Sequence, residues 1–445
     1  MLSAEKGGED PALSLSSFRR GRDAMREALQ KLVSVYRKYG FFGFVRKLAA
    51  WLRANVLDAL HPAALLRPRR CCRLIRQMLA EESARVILWR SSFGWQVPLF
   101  QRPQHIAREL SRSGSLVIYE VSRMTDGCVT LRRQSERLWL FNFGNRPLRR
   151  LLLRELRRDA RPKYLQLYST DWKLSVRELE RARAGGFRLI YEYVDHISPV
   201  LSGTGTLPKN VAEKYRYAMR RRDVYVAVTA ERLRLDVLSR RGAQRLIVSS
   251  NGVDYAFFQG GDPAFRPDPD FRAVQERGLP ILCYYGALAA WFDYELLKTI
   301  ARTGRYSVVL FGIRYDDSFD RSVRGEEGIF FLGARPYERL RDYARLCDLM
   351  LIPFLLNDVT RATSPVKLFE YMALHKPIVT TDMDECRRYA SVLIGRNPED
   401  FLAKIELGLR LRDDPGYLAL LDREARANDW REKARAISDA LERDE

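Results

Sequence analysis

Long apolar segments are missing from this chain of 445 residues. A helix that crosses a bilayer needs about 18 or more consecutive apolar residues, whereas the longest uncharged stretch, residues 278–292, is shorter and contains glycine and proline. Residues 1–11 carry four charged side chains and lack the basic-then-apolar order of a secretory signal. These features argue against a membrane-spanning or secreted protein and predict a cytoplasmic one.

Cysteine and histidine are also scarce. The six cysteines include no CxxC pair and no cysteine–histidine cluster with metal-ligand spacing, and there are four histidines in all. Neither a disulfide framework nor a zinc site is indicated. Because free cysteine is among the most often buried residue types, the thiols are predicted to lie in the core.

Basic residues, in contrast, are in excess. The chain has 77 Lys and Arg against 56 Asp and Glu, a net charge of +21, which predicts attraction to an acidic partner such as nucleic acid, a phospholipid surface or a phosphorylated substrate. Nearly half of this excess precedes residue 81, in less than a fifth of the chain.

Residues 1–83 are predicted to form a basic, amphipathic helical leader. Apolar residues recur with helical spacing between Met25 and Tyr39, and again between Phe41 and Leu60, with Lys and Arg around them. Such helices lie on anionic membrane surfaces. The alternative is that the apolar face packs onto the main body or another chain. A nucleic-acid partner is not expected, because no recognisable binding module appears.

After residue 83 the pattern changes to short β-branched runs that alternate with helical segments. Apolar strands flanked by helices predict parallel sheets covered on both faces. The fold class is therefore α/β, with two Rossmann-like, doubly wound domains in tandem at residues 84–252 and 253–425, followed by a terminal helix at 426–445. Ligands of such sheets bind at the carboxyl ends of the strands, so a site between the two domains is expected.

Residues 357–371, NDVTRATSPVKLFEY, carry the clearest chemical signal. Ser364 and Pro365 have the residue types of an N-cap and first helical position, which places Lys367 in the first turn and Glu370 one turn later on the same face. A cation at the positive end of the helix dipole is unfavourable unless an anion binds there. The pattern fits a bound phosphate or diphosphate, with Glu370 accepting hydroxyls of a ribose; the alternative is a solvated Lys and an ordinary surface Glu.

Three segments resemble the GT-B family of retaining glycosyltransferases: NGVD at 251–254, YYGALAAWFDYELL at 284–297 and TSPVKLFEYMALHKPIVTTD at 363–382. The segments LWRSSFGWQVPLFQRPQHIAREL and NDWREKARAISDALE are similar to the branch of teichuronic-acid and cell-surface polysaccharide transferases, whose terminal helix returns to the first domain. The resemblance implies a nucleotide-sugar donor held by the second domain, an acceptor held by the first, and no metal or other cofactor.

The donor-binding prediction comprises nine positions. They are Gly286, Trp291, Asp293, Gly312, Thr360, Ser364, Pro365, Lys367 and Glu370.

The sequence differs from the family pattern at two places that bear on donor binding. Ala362 occupies the position eight before Glu370 where most members have an acid, with Asn357 or Asp358 as replacements, and the Arg and Lys that follow the glycine matching Gly286 are absent. Neutralisation of the diphosphate would then rest on Lys367, with Arg361 or Arg314.

In the first domain the strand end YEYVDHIS offers Asp195 and His196 as catalytic candidates. Asp195 is a candidate general base for the acceptor hydroxyl, or an orienting group if the departing phosphate takes that proton; for His196 a structural role is the alternative. Trp95, Arg102 and Gln104 are candidates for an acceptor or phosphate loop. For Arg102 and Gln104, at a helix start, ordinary capping is the alternative.

The sequence thus predicts an enzyme that transfers a sugar from a nucleotide diphosphate to a lipid-linked or cell-surface glycan, with retention of anomeric configuration. The leader would hold it peripherally on an anionic membrane, at the inner face of the cell membrane. An inactive, transferase-like scaffold in a polysaccharide assembly complex is the alternative, motivated by Ala362 and the missing Arg and Lys.

Overall fold

A computed structural model describes residues 68–91, 93–97, 100–122, 126–198, 207–323 and 325–444. The two amphipathic patterns predicted between Met25 and Leu60 lie outside the described residues. Within the described ranges, no helix combines the length and the apolar character that crossing a bilayer requires, and all six cysteines are free thiols.

The first sheet has eight strands in the order β3-β4-β2-β1-β5-β6-β7-β8. All neighbours pair in parallel except β3 and β4. The strands are β1 (Arg85–Arg90), β2 (Ser115–Val121), β3 (Leu131–Ser135), β4 (Leu138–Asn142), β5 (Lys163–Tyr168), β6 (Phe187–Tyr193), β7 (Tyr225–Val228) and β8 (Leu246–Val248). Central strands such as β2 are buried at every position, which is the burial that a parallel sheet covered on both faces requires.

Within the described residues, six helices with defined bounds accompany this sheet. They are α1 (Pro68–Leu79), α2 (Arg102–Arg112), α3 (Arg146–Leu156), α4 (Val176–Ala184), α5 (Lys209–Arg220) and α6 (Glu231–Arg241). Helix α1 falls inside the predicted leader, yet Cys71, Ile75 and Met78 belong to the core of the first domain together with Leu152 of α3. The first domain therefore begins before residue 83, because this helix buries its apolar face on the sheet.

The second sheet has six parallel strands in the order β11-β10-β9-β12-β13-β14. These strands are β9 (Ile281–Leu288), β10 (Ser307–Arg314), β11 (Ile329–Gly333), β12 (Leu349–Ile352), β13 (Ile378–Thr381) and β14 (Val392–Gly395). Strand order reverses between β9 and β12, because β10 and β11 extend to one side and β13 and β14 to the other. This reversal is the point at which doubly wound sheets bind ligands, beyond the carboxyl ends of the strands.

Ten α-helices and one 3₁₀ helix are described in the second half of the chain. They are α7 (Tyr255–Gln259), α8 (Pro269–Gln275), α9 (Tyr294–Arg302), α10 (Ser318–Val323), α11 (Tyr337–Arg345), α12 (Asp358–Arg361), α13 (Val366–Ala373), the 3₁₀ helix Cys386–Arg388, α14 (Pro398–Leu411), α15 (Pro415–Ala427) and α16 (Trp430–Glu442). The expected fold class, two α/β domains with parallel sheets, is confirmed.

The last helix, α16, packs on the first domain. Its Trp430 ring stacks on His105 of α2 with centroids 4.9 Å apart, and Arg85 of β1 donates to the Ser438 carbonyl at 3.1 Å. Where the chain passes between the domains, the Trp430 N–H donates to the Val253 carbonyl at 3.0 Å. The crossover and the terminal helix therefore tie the two halves together at one place.

Strand β3 has no counterpart in the sequence expectations. Only Leu131 of its five residues is buried, and the other four are exposed. An antiparallel edge strand with polar side chains shows no apolar alternation, so hydrophobic periodicity does not reveal it.

Candidate active site

Helix α13 begins at the strand-order reversal of the second sheet. Pro365 occupies the N-cap position, and the Leu368 N–H donates to its carbonyl at 3.1 Å. The helix therefore starts one residue later than the predicted Ser364 cap, because the Ser364 side chain forms no bond to the first turn. Its hydroxyl is buried and has no hydrogen-bond partner among the described residues.

The first domain reaches this helix start through Asn251, in the crossover between the domains. Its side-chain amide donates to the Ser364 carbonyl at 2.6 Å, while its own side-chain oxygen is buried without a partner among the described residues. The structure thus brings the NGVD and TSPVK segments into contact, more than 100 residues apart in sequence. The Ser364 hydroxyl and the Asn251 side-chain oxygen are thus both buried at the start of α13 without a hydrogen-bond partner among the described residues.

Lys367 lies in the first turn of α13, directly over the end of β9. A methyl group added at Gly286 would come within 2.2 Å of Lys367 Cε, so only a glycine leaves room for this side chain. In the described part of the chain, the ammonium has neither a hydrogen bond nor an ion pair within 4 Å. Burial lowers the pKa of Lys367, and the charge of Glu370 opposes this shift. A half-buried ammonium without a hydrogen bond or ion pair is unfavourable, and a bound anion would remove that cost.

Glu370 is one turn further along the same face and is almost fully buried. The Tyr337 hydroxyl donates a hydrogen bond to Glu370 Oε1 at 3.1 Å, and the Tyr337 ring stacks on Phe257 at 5.2 Å. Burial raises the pKa of Glu370, while the Lys367 charge lowers it. The carboxyl is therefore held by one phenol on the side of α11 and keeps acceptor capacity for further donors.

Two glycines form the floor of the site on neighbouring strands. Gly286 of β9 pairs with Gly312 of β10, and both have positive φ, at 149° and 137°. A methyl group at Gly312 would come within 1.7 Å of the Gly286 carbonyl oxygen. Both strands therefore need glycine here, Gly312 to let the two backbones meet and Gly286 to admit Lys367.

Three other predicted donor-binding residues have internal partners. Asp293 caps α9 by accepting from the Leu296 N–H at 2.9 Å. The Thr360 hydroxyl bonds to the Leu355 carbonyl and accepts from the Asn357 N–H at 3.0 Å. The half-buried Trp291 ring lies against Tyr315 with centroids 5.6 Å apart. These contacts account for local structure, so donor binding by these three residues stays a prediction.

Residue 362, where most family members have an acid, is not accessible to a ligand. Ala362 is fully buried and packs in the core of the first domain. Asn357 accepts from the Thr360 N–H and caps α12, and Asp358 is exposed and paired with Arg232 of α6 at 3.0 Å. Neither suggested replacement is free to approach a sugar, because one carries a helix cap and the other a salt bridge between the domains.

The two additional cations suggested for the diphosphate are also paired. Arg314 Nη1 lies 2.6 Å from Asp320, and Arg361 Nη1 lies 3.4 Å from Asp384. Of the three cations considered, Lys367 alone lacks an ion-pair partner within the described ranges.

In the first domain, the predicted loop residues are held internally. Arg102 is buried, with Nε 2.9 Å from Glu192 and Nη1 2.9 Å from the Ser250 carbonyl. The Gln104 side chain donates to the Gly94 carbonyl at 2.7 Å and caps α2. Trp95 packs edge-on against Tyr119 at 5.2 Å. Gln104 makes the capping contact given as the alternative, whereas Arg102 is held by an ion pair and Trp95 by ring packing. Contact of these residues with a phosphate or acceptor stays a prediction.

Asp195 and His196 follow the carboxyl end of β6 and are half-buried. Burial raises the pKa of Asp195 to about 6. A carboxyl group with this pKa is ionised at neutral pH and accepts a proton readily, as a general base must. The catalytic assignment of Asp195 and His196 stays a prediction.

Part of the second domain is similar to a known protein family. Residues 280–410, which hold most of the second domain, match the family of glycosyl transferases group 1. TuaH of Bacillus subtilis, provisionally named a teichuronic acid biosynthesis glycosyltransferase, is 27% identical over 198 residues. That match covers 42% of this chain and 49% of TuaH, so the chain matches about half the length of this relative.

Solved structures share the fold of the whole two-domain body. HepE of Anabaena in complex with UDP has a TM-score of 0.57 and 13% identity, over 80% of this chain and 99% of HepE. The trehalose 6-phosphate synthase of Burkholderia multivorans has a TM-score of 0.55 and 13% identity, over 81% of this chain and all of that protein. At this identity the likeness establishes the fold, which is that of GT-B proteins.

The contacts of Asn251 and Tyr337 were not predicted as parts of the site. Asn251 was recognisable as part of the NGVD segment, but its partner Ser364 is distant in sequence. Tyr337 precedes Glu370 by 33 residues and carries no local motif. Only the folded sheet brings these side chains to α13.

Proposed function

We propose that this protein is a glycosyltransferase that moves a sugar from a nucleotide diphosphate to a lipid-linked or cell-surface glycan. The unpaired ammonium of Lys367, held over Gly286 at the start of α13 with Glu370 one turn away, carries the proposal. It offers a positive charge and free helix N–H groups to a diphosphate, and Glu370 offers a carboxylate to ribose hydroxyls. The match to glycosyl transferases group 1 and the UDP bound in HepE support this assignment.

In the proposed reaction the acceptor hydroxyl oxygen forms a bond to the anomeric carbon, and the bond from that carbon to the diphosphate oxygen breaks. Negative charge develops on the leaving diphosphate, where Lys367 and the first N–H groups of α13 stabilise it. The acceptor proton goes to Asp195, or to the leaving phosphate with Asp195 orienting the acceptor. The second route suits retention of configuration, which we propose for this protein.

No metal is needed for this proposal, because Lys367 and the helix start supply the positive charge. The described residues contain no group of three or more His, Cys, Asp or Glu that could hold a metal ion, and independence from metal stays a prediction. We also propose peripheral association with the inner face of the cell membrane through the basic leader.

An inactive scaffold is the second candidate. The buried Ala362 and the paired Arg314 and Arg361 favour it, because they leave the diphosphate with a single unpaired cation.

A thermal-shift screen of nucleotide sugars separates the two candidates. A donor present at 100 times its dissociation constant stabilises the folded protein by about 2.7 kcal/mol, so at least one nucleotide sugar should raise the melting temperature. The stabilising donor is then tested for transfer to a lipid-linked glycan. A flat response to all nucleotide sugars would reject the proposal and favour the scaffold.

A further inference from the structure

We propose that the first domain carries a face of its own that binds anionic lipid, distinct from the part of the predicted leader before Pro68 and from the donor site. This basic face consists of exposed arginines of α1, β3, α3 and the two residues after α3. Its members are Arg69, Arg70, Arg73, Arg76, Arg133, Arg146, Arg150, Arg154, Arg157 and Arg158; Arg132 of β3 lies on the other face of the sheet.

Helix α3 divides cleanly into an apolar and a basic side. Leu148, Leu152 and Leu156 recur every four residues and are buried in the core. Arg150 and Arg154 lie between them in sequence and are exposed on the opposite side. The helix therefore buries one stripe and presents arginine to the surroundings.

Helix α1 repeats this division beside α3. Ile75 and Met78 are buried, whereas Arg73 and Arg76 are exposed. Arg76 Nε lies 3.6 Å from Glu155 at the end of α3, so the two basic sides adjoin.

Strand β3 extends the same surface at the edge of the sheet. Arg133 is exposed on the same side of this strand as the buried Leu131, and its Nε lies 3.0 Å from Glu81, just after α1. The three elements therefore form one continuous face.

The positive charge of this face is mostly uncompensated. Glu81 pairs with one of its arginines, and Glu155 lies within 4 Å of three. The other six have no ion-pair partner in the described part of the chain; they are Arg69, Arg70, Arg73, Arg146, Arg150 and Arg157. Basic residues near an anionic membrane each add to the attraction, so the whole face favours a negatively charged surface.

The side chains between the arginines favour lipid over nucleic acid. Leu74, Leu79, Leu151 and Leu153 are half-buried along α1 and α3, which places aliphatic groups among the cations, as in helices that lie at a membrane interface. None of α1, β3 and α3 contains an aromatic residue that could stack on a base. Helix α1 begins at Pro68, directly after the part of the predicted leader that carries the other basic residues.

The test compares two sets of three charge reversals in the full chain. The first set, Arg73→Glu, Arg150→Glu and Arg157→Glu, removes unpaired arginines from the basic face. The control set is Arg272→Glu, Arg410→Glu and Arg423→Glu, which changes the same charge at exposed positions of the second domain. Binding is measured by co-sedimentation with vesicles containing about 30% phosphatidylglycerol and with purely phosphatidylcholine vesicles.

The basic-face variant should bind anionic vesicles about tenfold or more weakly than the unmodified protein, and the control variant within about twofold of it. Equal losses in the two variants would overturn the proposal in favour of overall charge, and undiminished binding by the basic-face variant would overturn it in favour of the leader alone. A larger loss of affinity for double-stranded DNA than for vesicles would also overturn it.

Melting temperature and nucleotide-sugar binding are measured on the same variants. Both should equal those of the unmodified protein, because the basic face is separate from α13. Failure of donor binding in every variant, including the unmodified chain, would count against the proposed enzyme and leave the lipid result unaffected.

Discussion

Helix α2 of the first domain and helix α13 of the second each have a proline and a basic residue at their start. The two basic side chains differ in whether they have an ion-pair partner. Arg102 in α2 is buried against Glu192 and the ends of β8. Lys367 in α13 is placed over a glycine with no ion-pair partner among the described residues. A cation at a helix start therefore indicates a ligand site only where the fold leaves its charge unbalanced.

The largest expected effect is on stability and concerns Arg102, the cation that has an ion-pair partner. Arg102→Ala should lower the free energy of unfolding by about 3–5 kcal/mol, because it leaves the Glu192 carboxylate buried without its partner. Urea unfolding followed by circular dichroism measures this. Arg112→Ala on the same helix removes an exposed partner of Glu109 and should cost less than about 1 kcal/mol. Equal costs for the two variants would contradict the structural role of Arg102.

The second effect is on donor affinity and concerns Lys367, the cation without an ion-pair partner among the described residues. Lys367→Ala should weaken binding of the donor by about 10–100-fold, since a hydrogen bond to a charged group contributes about 1.5–3 kcal/mol. The free energy of unfolding should hardly change, because the ammonium has no internal partner to lose. Titration calorimetry with the donor found by thermal shift measures the affinity.

Lys376→Ala is the matched control for this variant. The Lys376 ammonium donates to the Arg345 carbonyl at 2.8 Å beyond the other end of α13, so its loss should affect stability and leave donor affinity unchanged. Unchanged donor affinity in Lys367→Ala would remove the basis of the proposed site.

The smallest expected effect is on pH dependence. Burial raises the pKa of Asp195 to about 6, so the carboxyl becomes protonated as the pH falls through 6 and can no longer accept a proton. If Asp195 is the base, kcat/KM should fall about tenfold per pH unit below that value. Asp195→Asn should be slow and should lack this acid limb. An unmodified protein without an acid limb between about pH 5 and 7 would assign the proton to the leaving phosphate.

Much of the fold follows from local patterns. Runs such as SLVIYEV and ILCYYGAL are buried strands, and the alternation with helices predicts two doubly wound sheets. Helix α1 shows the limit of such reasoning. Its amphipathic pattern fits both a membrane surface and a protein core, and only the apolar surface available on α3 and the first sheet decides for the core.

The candidate site likewise contains residues that a local pattern predicts and contacts that it does not. Lys367 and Glu370 were predicted from their spacing on one helix, because a separation of three residues places them on one face. Their environment depends on distant segments: Asn251 reaches Ser364 from the crossover, and Tyr337 reaches Glu370 from α11. No local pattern reports such contacts, since sequence periodicity carries no information about which strands become neighbours.

The sequence by itself determined the two parallel α/β domains and the face of α13 that carries Lys367 and Glu370, because periodicity and helix geometry are local properties. The tertiary structure decided which charges are free. Arg102 pairs with Glu192 in the first domain, and Asp358 pairs with Arg232 between the domains. Lys367 lies over the backbone of Gly286 and has no ion-pair partner among the described residues. Charge balance depends on distances in space, so only the folded chain distinguishes a structural cation from one placed to bind a ligand.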